Sequence, residues 1–127
     1  MASESSDPTP SEPGQSAPLV HVQVTRTGAT NVVTVVGELD MYSARELEEA
    51  LTATDADTAV VVADLDGVSF MGSVGLAVLH EAAQRVAAQG VQLRLAVSTK
   101  PVTRALEVSG LTSEFSLYRS VREALAA

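Results

Sequence analysis

Residues 59–64 read Ala-Val-Val-Val-Ala-Asp, an unbroken apolar run closed by an acid. A run this short and this rich in β-branched residues reads as a strand buried on both faces, and such strands belong to parallel sheets covered by helices. The flanking sequence must therefore supply helices, and it does. Over residues 72–89, Leu76, Leu79, Ala83 and Val86 recur at helical spacing, Glu81 and Arg85 stand as an i,i+4 pair, and Gly90 provides the stop. Leu93 to Val97 reads as the next strand. Pro101 is placed to open a helix carrying Val102, Ala105 and Leu106, which stops at Gly110. Residues 115–118 read as a short last strand, and residues 120–127 as a final helix with Val121, Ala124 and Leu125 on its apolar face.

Upstream, Val20, Val22 and Val24 alternate with His21, Gln23 and Thr25, the pattern of a half-buried strand. Residues 28–31 read as a turn and residues 32–36 as a second strand, so the two form an antiparallel hairpin. Ser43-Ala-Arg-Glu46 has the spacing of a capping box, with Ser43 capping a backbone N–H and Glu46 reaching back. Leu47, Ala50 and Leu51 then share one helical face. The order β-β-α-β-α-β-α-β-α predicts an α/β fold. It has a mixed, mainly parallel sheet of about four or five strands, about four helices and an N-terminal antiparallel hairpin.

Residues 1–18 hold five serines, four of the five prolines, Glu4, Asp7 and Glu12, and no basic residue. That composition cannot bury a core and predicts a disordered tail, with neither the basic start nor the apolar stretch of a signal peptide. Residues 19–127 then form one domain. The longest apolar stretches are about five residues, too short to span a bilayer. The chain has no cysteine, which excludes thiolate sites and fits a reducing, cytoplasmic setting. With 8 Lys+Arg against 16 Asp+Glu the net charge is −8, which argues against nucleic acid as a partner and suits a basic protein surface, though solubility alone explains it equally well.

In parallel sheets the loops at the carboxyl ends of the strands gather functional groups. Here those loops are residues 38–43 and 64–75. Glu38, Asp40, Asp64 and Asp66 are carboxylates that could hold a hard cation, but neither loop has a full ligand series, and solvated turn acids are the plainer reading. Ser73 lies in Gly-Ser-Val-Gly, yet Met71 stands where a nucleophile elbow needs glycine. Of the two histidines, His80 is almost two turns further along the same helix and His21 is on a predicted edge strand, so no base serves Ser73. No Walker or dinucleotide glycine pattern is present. No catalysis, metal or cofactor is expected. Two roles stay open for Ser73: the N-cap of the long helix, whose oxygen satisfies a first-turn N–H, or a phosphoacceptor at the positive end of that helix.

Three segments carry a family resemblance: Gly37-Glu-Leu-Asp40, residues 62–76 (VADLDGVSFMGSVGL), and Val108-Ser-Gly-Leu111. Together they resemble the STAS domain of small bacterial anti-sigma factor antagonists, over essentially residues 19–125. The resemblance implies the fold already read from the pattern. It also implies a partner that is both anti-sigma factor and serine kinase, with a serine phosphatase to reverse the modification. The unphosphorylated antagonist would bind the anti-sigma factor and free its sigma factor. The family motif Asp-Ser-Ser/Thr-Gly-Leu appears here as Gly72-Ser73-Val74-Gly75-Leu76. Ser73 matches the phosphoacceptor, Gly72 replaces the acid and Val74 the second hydroxyl. Asp40 matches an acidic position near the partner surface, which Gly72, Val74, Gly75 and Leu76 would also frame. The substituted motif leaves an alternative, an unphosphorylated STAS scaffold or ligand-binding module with constitutive binding.

Limited proteolysis should trim the chain to near Leu19 and then stall. Rapid cleavage between Val60 and Val86 would contradict the single-domain reading.

Overall fold

The computed structural model describes residues 20–127; the tail expected over residues 1–18 lies outside the described residues, as does Leu19. Five strands form one sheet in the order β1-β2-β3-β4-β5: Val20–Thr27, Thr30–Leu39, Val60–Met71, Gln92–Ala96 and Ser116–Tyr118. β1 and β2 make the antiparallel hairpin, and every later pairing is parallel. The helices are α1 (Ala44–Thr52), α2 (Ser73–Ala87), α3 (Lys100–Ser109) and α4 (Val121–Ala126). This is the predicted fold class and element order. Gly28, at φ 61°, makes the tight hairpin turn, and Gly110, at φ 75°, ends α3 in the left-handed region.

The strands alternate between two cores. Val33, Val35, Val61, Ala63, Leu93 and Leu95 face one way and pack with Leu47 and Leu51 of α1, Leu79 and Val86 of α2, and Val102 and Leu106 of α3. Val32, Val62 and Ala96 face the other way, under Ala124 of α4. β3 is thus apolar on both faces, which is why residues 59–64 show no alternation.

β3 nevertheless runs further than that signal reaches. It continues to Met71, so most of the expected loop at residues 64–75 is strand. Beyond Asp64 it leaves β4 and remains paired with β2 alone. β2 has 10 residues and β3 has 12, and the excess is shed at two register shifts. In the first, Leu65 and Asp66 lie between the pairs Thr34–Asp64 and Val36–Gly67; in the second, Ser69 lies between Gly37–Val68 and Glu38–Phe70. Each bulge resets the alternation, so no period-2 pattern survives in the sequence. β2 crosses the first bulge closely: a Cβ on Gly67 would stand 2.8 Å from Val36 Cγ2 and 2.9 Å from the Val35 carbonyl oxygen.

Two local expectations are corrected. Arg85 Nη1 donates to Glu48 Oε2 of α1 at 2.9 Å, so it bridges the α1–α2 pair rather than joining Glu81. The Ser43 hydroxyl does not cap α1: it donates to the Glu38 carbonyl at 2.6 Å, because Asp40 has taken over the helix start. A capping arrangement does form at α4. There Ser120 Oγ accepts from the Glu123 N–H at 3.1 Å, and Glu123 Oε1 accepts from the Arg119 N–H at 3.2 Å.

Gly67→Ala should destabilise the domain by about 1–3 kcal/mol, since the methyl meets backbone and a β-branched neighbour that cannot yield. Calorimetric melting of the variant should fall by roughly 5–15 °C, and an unchanged melting temperature would reject the close approach at this bulge.

Candidate functional site

Parallel pairing brings the carboxyl ends of β2 and β3 side by side, and one backbone bond ties their exits. The Gly72 N–H donates to the Leu39 carbonyl at 3.0 Å. Asp40 is the next residue after one partner of that bond, and Ser73 the next after the other. α2 then starts hard against β2: a Cβ on Gly75 would stand 2.7 Å from Met71 Sδ and 3.1 Å from Leu39 Cβ. Glycine at position 75 thus lets the first turn of α2 sit on the end of the sheet.

Gly72, not Ser73, is the N-cap of α2, with φ −84° and ψ 173°. Ser73 is the first helical residue, so the N-cap role open to it from sequence is not the one it takes. An N1 side chain points away from the N2 and N3 amides that an N-cap oxygen would meet. The helix start has no side-chain cap, and Ser73 is exposed, its hydroxyl unbonded among the described residues.

Asp40 is organised differently. Its Oδ1 accepts from the Tyr42 N–H at 2.9 Å and the Ser43 N–H at 3.1 Å, while the Ser43 hydroxyl lies 3.1 Å away. The Ser43 N–H contributes most to holding the Asp40 carboxyl below its ordinary value of 3.8; partial desolvation acts the other way, and the Tyr42 N–H and Ser43 hydroxyl add to the lowering. Asp40 is therefore a fixed negative charge beside the start of α2. The loop it folds pushes Met41 and Tyr42 outward, 65% and 80% exposed. Phe70 and Val74 are also exposed, at 51% and 40%.

Of the residues singled out from sequence, Asp40, Gly72, Ser73 and Val74 therefore come together at one surface. Gly75 and Leu76 are buried beneath it and set its shape. The other acids disperse. Asp66 Oδ1 accepts from the Ser98 N–H at 2.7 Å, fastening the β4–α3 connection, and Asp64 Oδ1 accepts from the Asp66 N–H at 3.3 Å. Among the described residues no group of three or more His, Cys, Asp or Glu side chains is arranged to hold a metal. His80 meets Glu114 at 3.6 Å and Phe115 edge-on, far along α2 from Ser73. Sequence reasoning missed the exposed apolar residues: Met41, Tyr42 and Phe70 were present as large apolar side chains among loop polars, a signal that was available. No helix among the described residues is long and apolar enough to cross a membrane.

The STAS domain family matches residues 21–124. An anti-sigma-F factor antagonist of Mycobacterium tuberculosis, RsfB, is 34% identical over 108 residues, 84% of this chain and 87% of the relative. The crystal structure of an anti-sigma factor antagonist from Mycobacterium paratuberculosis superposes with a TM-score of 0.76 at 31% identity, covering 84% of this chain and 92% of that one. The Bacillus cell fate determinant SpoIIAA in its phosphorylated form shares the fold, with a TM-score of 0.65 at 18% identity over 84% of this chain and 97% of that one.

Two outcomes follow from the geometry. Gly72 has a φ open to any residue, and the nearest atoms to an added Cβ are Phe70 Cε2 at 3.3 Å and the Leu39 oxygen at 3.4 Å. Gly72→Asp should thus fold, and a capping carboxylate at the helix start should add a few tenths to ~1 kcal/mol, read as a small rise in melting temperature. Asp40 has a lowered pKa, so its contribution to stability is complete above 3.8 and is lost as pH falls through the lowered value. The difference in melting temperature between the wild type and Asp40→Ala should accordingly hold steady from pH 7 to 5 and shrink below pH ~3.8.

Proposed function

Because the chain belongs to the STAS domain family, we propose that it is an anti-sigma factor antagonist, a protein-binding switch without chemistry of its own. In its unmodified form it binds an anti-sigma factor and releases the sigma factor held there. The anti-sigma factor is also a serine kinase, and phosphorylation of Ser73 turns binding off. A serine phosphatase restores it, and the cycle runs in the cytoplasm.

The observation that carries this reading is the state of Ser73: a hydroxyl at the first residue of α2, exposed and unbonded among the described residues, at the strand exit tied to the one that leads into Asp40, with Met41, Tyr42, Phe70 and Val74 exposed on the same two exits. A kinase reaches it without unfolding anything. The names of the relatives supply the class of partner, and the phosphorylated state of the Bacillus protein shows that this fold tolerates the modification in one member.

A phosphate on Ser73 meets two opposed local effects. The free N–H groups and dipole at the helix start favour it, worth roughly 0.3–2 kcal/mol. The fixed charge of Asp40 opposes it, weakened by solvent and salt at an exposed site. The fold should therefore barely notice the modification. A partner surface shaped for a hydroxyl and exposed apolar side chains is affected far more, since a doubly charged group must shed water there at a cost of several kcal/mol.

Incubation with the cognate anti-sigma factor and ATP should place one phosphate on Ser73, and Ser73→Ala should abolish it. Modification of Ser69 or Thr99 instead would reject the assignment. Calorimetry should show the phosphorylated protein binding at least 100-fold more weakly, with a melting temperature within a few degrees of the unmodified one. Gly72→Asp, which restores the family's acid, should speed phosphorylation. A cognate factor that binds equally well whether or not Ser73 is modified would favour a constitutive scaffold.

A further inference from the structure

β3 is paired on one side only after Asp64, because β4 ends at Ala96. The exposed edge this leaves is not uniformly open. At Asp66 the β4–α3 connection covers it through the Ser98 N–H. From Ser69 to Met71 it faces a groove of about 310 Å³, whose opposite wall is α3, with Pro101, Arg104 and Val108. The groove is mainly apolar, and its rim is Phe70 on one side and Val108, 83% exposed, on the other. Arg104 is exposed and makes no ion pair among the described residues.

A strand edge facing a helix across an apolar groove is the arrangement by which binding modules accept an extended peptide as an added strand. Main-chain groups pair with the edge, and alternate side chains enter the groove. We propose that this groove takes an extended segment of the protein that binds the Ser73 surface. The segment carries an apolar side chain to fill the space between Phe70 and Val108, and a carboxylate within reach of Arg104. The inference rests on the protein-binding reading above. Two features favour a segment of that partner. The groove is continuous with the Ser73 surface, since Phe70 and Met71 lead directly into Gly72 and Ser73. Arg104, with the exposed Lys100 one turn before it on α3, also places positive charge beside the groove in an otherwise acidic chain, with a net charge of −8. The antagonist surface then extends well past the motif at the start of α2, and its far half is untouched by the phosphate.

The test uses the full chain with the purified cognate anti-sigma factor. Amide hydrogen exchange should slow at residues 69–71 as well as at 73–77 when the partner is added. Arg104→Glu combined with Val108→Glu, both at exposed positions, should weaken binding at least tenfold while Ser73 is still phosphorylated by the free kinase. Arg104→Lys should retain most of the affinity. Partner binding with unchanged exchange at residues 69–71, or wild-type affinity in the double variant, overturns the groove and leaves the Ser73 switch standing. Absence of any binding by the wild type removes both. Protection, already present in the isolated chain, of those amides of residues 69–71 that do not pair with β2 would place the chain's own residues there. Protection that grows with protein concentration would place a second copy there. Either result overturns the proposal.

Discussion

A parallel pair in which one strand is two residues longer than the other must lose the excess before the strands end together. β3 does so in two bulges against β2, and the strand exits are then fastened by the bond between Gly72 and Leu39. Everything at the functional end depends on that alignment. Without the bulges Met71 would overshoot Leu39 by two residues, roughly 6–7 Å, and α2 would start beyond the reach of the Asp40 loop. Gly67 and Gly75 are the points where the alignment is tightest: a methyl group would strike β2 at the first, and Met71 of β3 with Leu39 of β2 close behind at the second. Packing precision is thus concentrated where two chain exits must meet.

The fold was legible because its signals are local and repeated. Helical spacing at Leu76, Leu79 and Val86, the stops at Gly90 and Gly110, and the apolar run at residues 59–64 each point to one element, and together they leave one architecture. The extension of β3 to Met71 was hidden for a physical reason. A bulge changes which parity faces the core, so Leu65, Val68 and Met71 are buried at intervals of three, a spacing that suggests neither a strand nor a long helix. Ser43 and Ser73 misled in a related way. Both are good capping residues, but Ser73 stands one position past the N-cap and Ser43, at the N-cap of α1, spends its hydroxyl on the Glu38 carbonyl, and side-chain preference settles neither point. The capping pair at Ser120 and Glu123 had the same spacing as Ser43 and Glu46, yet only the former is used that way. Local competition from Asp40, three residues before Ser43, decided between them.

The site divides its work between residues that hold and residues that face outward. Asp40 Oδ1 and the Ser43 hydroxyl spend their hydrogen bonds on the loop they shape, Gly75 and Leu76 lie under the surface, and Ser73 and Val74 are exposed. Val74, 40% exposed, adds apolar surface next to Ser73. Gly72 leaves the start of α2 without a side-chain cap, at small cost because glycine is itself tolerated at that position.

The hairpin register has a practical consequence. Val20 pairs with Gly37, so the chain enters the sheet at the end where Asp40 and Ser73 stand. A reporter or affinity handle joined to Val20 by a short flexible linker in place of residues 1–19 would be held at about millimolar effective concentration near Ser73, where it competes with anything that binds that surface. A handle joined after Ala127 leaves from α4, which packs over the opposite face of the sheet from α1 and α2. Binding measurements on this domain are therefore sensitive to which terminus is tethered, and immobilisation through the C-terminal end is the geometry that leaves the surface open.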